Sequence, residues 1–245
     1  MPASSPKRRE QERGRTEELL SPSEVATVRR QLLRWGKKNF QHYPWRSETD
    51  PWRSFLAEFL LQRTRASQVA EVFVEVSTRF PTAESLARGG LAATSDVMAR
   101  LGLHFRAPLL ASIAASVAES GGQPPESEEE LRAFTGVGMY TSAAWLSLHR
   151  GKRASIIDAN VARWLSRMTG MPYNRDPRKV HWVQTLAQRM TPRRAFRAFN
   201  YAVLDFTMIV CKPREPSCAV CPVRGSCAYM RGSTAAARPG TLRRA

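Results

Sequence analysis

Apolar residues that recur at every third or fourth position run through most of the chain and restrict it to helices. Val25, Val28, Leu32 and Leu33 follow this spacing, as do Val69, Val72, Phe73 and Val76. Leu109, Leu110, Ile113 and Val117 repeat it, and so do Val161, Trp164, Leu165 and Met168. No stretch alternates with period two for long enough to make a convincing strand. Tyr43-Pro44, Phe80-Pro81, Gly121-Gly122 and Pro124-Pro125 cut the sequence into pieces of ordinary helix length. The expected fold class is all-α. Ser21-Pro22-Ser23-Glu24 reads as a helix start, with proline in the first turn and glutamate three residues after the capping serine. Ordered structure is therefore expected from about residue 22, after a mixed-charge tail over 1–21. Residues 231–245, with Arg231, Arg238, Arg243 and Arg244 among small residues, are expected to be a basic tail.

The 245 residues carry 38 Lys and Arg against 21 Asp and Glu, a formal charge of +17. Lys7, Arg8, Arg9, Arg13 and Arg15 outnumber Glu10, Glu12, Glu17 and Glu18 by only one, so sixteen of those charges lie beyond residue 21. A body this basic attracts polyanions and gains from releasing their counterions, which makes nucleic acid the leading partner class. The 42% hydrophobic content excludes disorder throughout. No apolar run approaches the roughly 18–20 residues of a membrane span, and the first thirty residues lack a signal-peptide core. A cytoplasmic, nucleoid-associated protein without membrane contact is expected.

Three segments carry chemistry. In Ser127-Glu128-Glu129-Glu130-Leu131-Arg132-Ala133-Phe134-Thr135-Gly136-Val137-Gly138-Met139-Tyr140-Thr141, Ser127 and Glu130 suggest a capping box, and two glycines flank one apolar residue before a second helix. This is a helix-hairpin-helix pattern. The free N–H groups around Gly136, Gly138 and Thr141 can hold a phosphate oxygen, although an ordinary helix-helix turn has the same spacing. In Ser155-Ile156-Ile157-Asp158-Ala159-Asn160-Val161, Asp158 is placed to cap a helix. An anion held there by the helix dipole can also stabilise a sugar cation. Cys211, Cys218, Cys221 and Cys227 are separated by gaps of six, two and five residues. In a reducing compartment they form a metal site more readily than disulfides, and the spacing alone suits zinc or a [4Fe–4S] cluster.

Together the hairpin, the Asp158 segment and the four cysteines resemble, in order and spacing, the helix-hairpin-helix DNA glycosylases with an iron–sulfur cluster. This is the superfamily of endonuclease III and the adenine glycosylase MutY. Tyr43-Pro44-Trp45-Arg46 and Asp50-Pro51-Trp52 are similar to segments of its mismatch-acting branch. The resemblance covers roughly residues 22–230. It implies a six-helix barrel over 46–154, with the hairpin at about 127–149. A cluster domain would combine 22–45 with 155–230, and DNA would bind in a cleft between the two. It implies a [4Fe–4S] cluster on Cys211, Cys218, Cys221 and Cys227, with Lys212 and Arg214 presented to the DNA backbone. Asp158 matches the aspartate that steadies the oxocarbenium-like sugar. Glu58 falls where the MutY branch carries the acid that protonates the leaving base, among apolar neighbours that favour its protonated form. Gln62-Arg63-Thr64-Arg65 matches the wedge loop that fills the gap left by a flipped base, with Arg63 as the wedge.

Tyr140 stands where lyase-active relatives carry a lysine that forms a Schiff base. Tyrosine forms none, so the resemblance implies a monofunctional enzyme, a monomer acting on duplex DNA that holds a mismatched or damaged base. Asp158-Ala159-Asn160, Arg63 and Leu204-Asp205-Phe206-Thr207 are similar to an archaeal-type glycosylase that removes thymine or uracil opposite guanine. The chain ends about eighteen residues past Cys227, too soon for the extra domain that MutY uses to read 8-oxoguanine. The expected substrate is therefore thymine or uracil opposite guanine. A MutY-like adenine glycosylase is the alternative, and a non-catalytic DNA-binding or redox-sensing protein on the same scaffold is a second one. Thr135 departs from both enzyme groups, which usually have proline there.

Overall fold

A computed structural model describes residues 19–173 and 176–235. Residues 1–18 of the tail expected over 1–21, and residues 236–245 of the one expected over 231–245, lie outside the described residues. Those described are helical with no strand among them, as the apolar spacing requires. The helices are α1 (Pro22–Asn39), α2 (Pro51–Leu60), α3 (Ala66–Arg79), α4 (Ala83–Arg100), α5 (Ala107–Glu119), α6 (Glu128–Ala133), α7 (Met139–His149), α8 (Ala159–Thr169), α9 (His181–Met190), α10 (Phe196–Ile209) and α11 (Ala228–Ala235).

Two compact units divide the chain. The first runs from Gln41 to Ala154; the second joins residues up to Phe40 to those from Ser155 onward. The first unit holds α2–α7 around Trp52, Phe55, Phe59, Phe73, Met98 and Trp145. Tyr43–Trp45, expected with the first helix, belong to this unit. Tyr43 stacks on Trp45 at 4.9 Å between ring centroids, and Trp45 meets Phe73 edge-on at 6.0 Å. Helix α2 shows why the unit closes around it: Trp52 and every residue from Ser54 to Leu60 are buried. A helix apolar nearly all round has no wet face to offer and becomes the centre of its bundle. Asp50 starts it, accepting the Arg53 N–H at 2.8 Å with Pro51 in the first turn.

The second unit packs α1 with α8–α11 around Val28, Leu32, Trp164, Leu165, Phe199 and Phe206. Its order begins slightly before the expected start. Leu20 is buried, and Arg189 donates to its carbonyl. Leu20 and Val25 flank the complete Ser21–Glu24 capping box as a hydrophobic staple. At the other end, α11 carries helix to Ala235, through residues expected to belong to the tail.

Helices α1 and α10 approach closely where Gly36 faces Ala202. A Cβ built on Gly36 would lie 2.5 Å from the Ala202 Cβ. Gly36→Ala must push the helices apart and is expected to destabilise the fold by about 1–3 kcal/mol. A lowered urea midpoint at unchanged m-value checks this, and an unchanged midpoint would contradict it.

Candidate active site

Helices α2 and α7 are joined by two polar rungs. Trp145 donates from Nε1 to Ser54 Oγ at 3.2 Å, and His149 Nε2 lies 3.0 Å from Glu58 Oε1. Ser54 and Glu58 are four residues apart on α2, as Trp145 and His149 are on α7. One turn along each helix therefore advances both partners together, so the helices run in the same direction at this contact. Phe55 meets Trp145 edge-on at 5.4 Å and closes the gap between the rungs. Glu58 is 1% exposed, and the His149 side chain is equally buried. The carboxyl therefore lies inside the helix pair, and the solvated helix face open to many glutamates is excluded here.

The chain leaves α2 through Leu61 into the Gln62–Arg65 loop. Gln62 donates from Nε2 to the Gly136 carbonyl at 3.1 Å, which ties this loop to the hairpin. Arg63 is exposed and has φ +63°, a left-handed conformation that costs a non-glycine residue roughly 1–2 kcal/mol. Arg63→Gly is accordingly expected to stabilise the fold modestly, by up to about 1 kcal/mol, while removing the side chain matched to the wedge. Thermal denaturation reads the first effect, and a fall in stability would contradict the strain argument.

In the hairpin, Ser127 accepts the Glu130 N–H at 3.2 Å, as expected. The return half of the box differs: Ser127 Oγ donates to the Glu130 carboxylate, which replaces the expected bond from the Ser127 backbone N–H. Gly136 has φ +93°, and a Cβ there would meet Leu109 Cδ1 at 3.0 Å, so conformation and space both call for glycine. Gly138 forms the N-cap of α7 with no side-chain cap, which leaves the first N–H groups of the helix to other acceptors. The Thr141 side chain is packed inward at 2% exposure, so a phosphate contact there falls to its main-chain N–H, the group the sequence offers for it. Tyr140 is half-buried one residue earlier.

In the other unit Asp158 caps α8. Its Oδ1 accepts the Val161 N–H at 2.7 Å, and its Oδ2 accepts from Asn160 Nδ2 at 3.1 Å. Asn160 Oδ1 accepts from Arg163 at 2.7 Å, and Arg163 also donates to the carbonyls of Thr207 and Cys211. Burial pushes the Arg163 pKa down, opposed in part by Cys211 and Asp158. Asp158 is thus linked through two side chains to the start of the cysteine segment. Arg167 fastens the same segment by donating to the carbonyls of Lys212 and Pro213 at 2.7 and 2.9 Å. Lys212 is left half-buried and Arg214 exposed.

Cys211, Cys218, Cys221 and Cys227 line one pocket, with Trp164, Met168 and Phe206 as its apolar wall. Among the described residues no three His, Cys, Asp or Glu side chains converge as a ready-made grip for one ion. Burial pushes the Cys221 thiol up to about 11 and raises those of Cys218 and Cys227. A positive centre among them is what would keep such sulfurs ionised. An all-thiolate donor set around a common pocket is chemically suited to an iron–sulfur group.

Two side chains in the first unit escape any reading of sequence pattern. One is His149. The other is Arg106, buried with its guanidinium 4.4 Å from the Phe59 ring centroid and its Nε and Nη2 without partners. Burial, and then the charge of Arg63, push its pKa down. No local motif marks either residue, because their positions depend on how separate helices pack.

No family model matches the chain in a scan of such models. Individual proteins do. Thymine-DNA glycosylase of Aeropyrum pernix is 32% identical over 220 residues, covering 86% of the chain and 97% of that protein. Thymine/uracil-DNA glycosylase of Methanothermobacter thermautotrophicus is 30% identical, covering 81% and 90%. The human adenine DNA glycosylase is 30% identical over 84% of the chain, which spans only 40% of that longer protein. Among solved structures, a thermostable thymine-DNA glycosylase superimposes with a TM-score of 0.80 at 28% identity, over 86% of this chain and 98% of that one. Endonuclease III trapped on DNA superimposes at 0.76 with 18% identity, a likeness of fold alone. Fold and likeness together define a DNA glycosylase of base-excision repair, a hydrolase of N-glycosyl bonds. Within that class, the chain belongs to the family of thymine-DNA and thymine/uracil-DNA glycosylases.

Proposed function

We propose that the protein excises thymine or uracil paired with guanine in duplex DNA, acting as a monomer at the nucleoid and leaving an intact strand with an abasic site. The observation that carries this reading is the likeness to thymine and thymine/uracil glycosylases along almost their whole length. Glu58 delivers a proton to the leaving base as the C1′–N bond breaks and its electron pair departs with the base. Asp158, ionised at the head of α8, steadies the positive charge on the sugar until water adds at C1′. Tyr140 occupies the position of the lyase lysine and offers no amine, so hydrolysis ends the reaction.

Binding of the duplex rests on the uncapped N–H groups after Gly138, on Gly136 at the turn and on the cations Lys212 and Arg214, all contacts to phosphate without reading sequence. Arg63, held out by the loop that Gln62 fastens to the hairpin, fills the vacancy left by the flipped nucleotide. Arg106 adds positive potential close to that loop.

The four cysteines hold a [4Fe–4S] cluster in this reading, which supplies a covalent cross-link of the 211–227 segment. Arg163 and Arg167 anchor that segment through its carbonyls, so its Lys212–Arg214 surface keeps one conformation. Anaerobically purified protein is then expected to contain about four irons and four sulfides per chain, as four thiolates bind such a cluster. One zinc per chain and no sulfide would overturn the assignment.

The adenine reading is favoured by one observation, the 30% identity to the human adenine DNA glycosylase. Single-turnover release from labelled T:G, U:G, A:G and A:8-oxoguanine duplexes separates the two. Release confined to the first pair supports the proposal, and release confined to the adenine duplexes replaces it.

A further inference from the structure

We propose that His149 is a positioning residue that fixes the proton of Glu58 on Oε2, the carboxyl oxygen it does not engage; this rests on the glycosylase reading of Glu58. The two side chains are sealed together, at 2% and 1% exposure, with His149 Nε2 3.0 Å from Oε1. The far ring nitrogen, Nδ1, is buried without a hydrogen-bond partner. That orphan selects among the protonation states of the ring. A neutral ring with its proton on Nε2 donates to Oε1 and leaves only a bare lone pair at Nδ1. The other neutral tautomer and the imidazolium both leave an N–H buried and unpaired at Nδ1, the costlier defect.

With Oε1 accepting from Nε2–H, that oxygen is held as the carbonyl, a better acceptor than a hydroxyl, so the acid proton of Glu58 resides on Oε2. On base release that proton passes to the leaving base, which also takes the electron pair of the broken C1′–N bond. Glu58 is left as a carboxylate that still accepts from His149. His149 neither gains nor loses a proton. The neighbouring Trp145–Ser54 rung fixes the register of α7 on α2 and hence the ring against the carboxyl. Geometry at this depth has a purpose beyond stability, because a carboxyl free to rotate would present its bare oxygen to the base as often as its acidic one.

Two measurements on the full chain test this. In the ¹⁵N spectrum of histidine-labelled protein, which has four histidines, the resonance lost in His149→Gln identifies the ring. The proposal expects a neutral Nε2–H tautomer, and an Nδ1–H tautomer or an imidazolium at neutral pH would overturn it. In single-turnover assays on T:G duplex, His149→Phe, which fills the space without a donor, is expected to lose about 10- to 100-fold in base release at unchanged duplex affinity. His149→Gln, whose amide N–H can reach Oε1, is expected to recover most of that loss. Wild-type rates in the Phe variant, or equal losses in both, would contradict a positioning role. If the Phe variant fails to fold, the tautomer decides. Wild-type protein inactive on every mismatch duplex would refute the glycosylase reading, and the tautomer would still confirm or refute the hydrogen-bond assignment.

Discussion

Glu58→Gln is expected to slow single-turnover base release by about 10²- to 10⁴-fold, the range general acid catalysis contributes. The amide matches the carboxyl in size and can still accept from His149 through its oxygen, so neither helix loses its packing. The buried site exchanges an acidic O–H for an N–H that cannot be given up. Fold and duplex affinity should therefore stay near wild type while chemistry fails. The measurement pairs a base-release time course with a duplex titration at the same salt. Equal losses in both would mean that Glu58 supports binding or folding and is not the acid.

Asp158→Asn is expected to reduce base release by about 10²- to 10³-fold for a different physical reason. Asparagine caps helices as well as aspartate does, so the bond to the Val161 N–H persists and α8 keeps its start. The charge is removed, and with it the stabilisation of the sugar cation; the bond from Asn160 Nδ2 is also lost, because the amide sets a donor where Oδ2 accepted. Asp158→Ala separates the two roles, since it should lose the same activity and also about 1 kcal/mol of stability with the cap. If the Asn variant retains activity, Asp158 is a helix cap alone.

Much of this protein was legible before any coordinates. Apolar spacing disclosed α1, α3, α5 and α8, because each buries one stripe against a core and periodicity reports such stripes. The Ser21 box and the Asp158 cap were legible because caps are local, settled within three or four residues. Legibility ended where long-range packing decides. Thr141 stands beside the hairpin glycines in sequence, yet the turn of α7 carries its side chain into the core. Glu58 sits among Phe55, Phe59 and Leu60, which suggested burial, but its partner lies 91 residues away on a helix whose register no local pattern sets. The left-handed Arg63 is similar: composition would have placed glycine or asparagine at such a φ, and the loop holds an arginine there against its preference.

Strand integrity after base release tests the central claim most directly. Wild-type protein in excess over a U:G or T:G duplex, labelled on the pyrimidine strand, should release free base and leave that strand whole until hot alkali cleaves it at the abasic site. Borohydride should trap no covalent complex. Strand breaks without alkali, or a borohydride-trapped adduct, would show an amine acting on the sugar and contradict hydrolysis by Glu58 and Asp158 with a tyrosine at position 140.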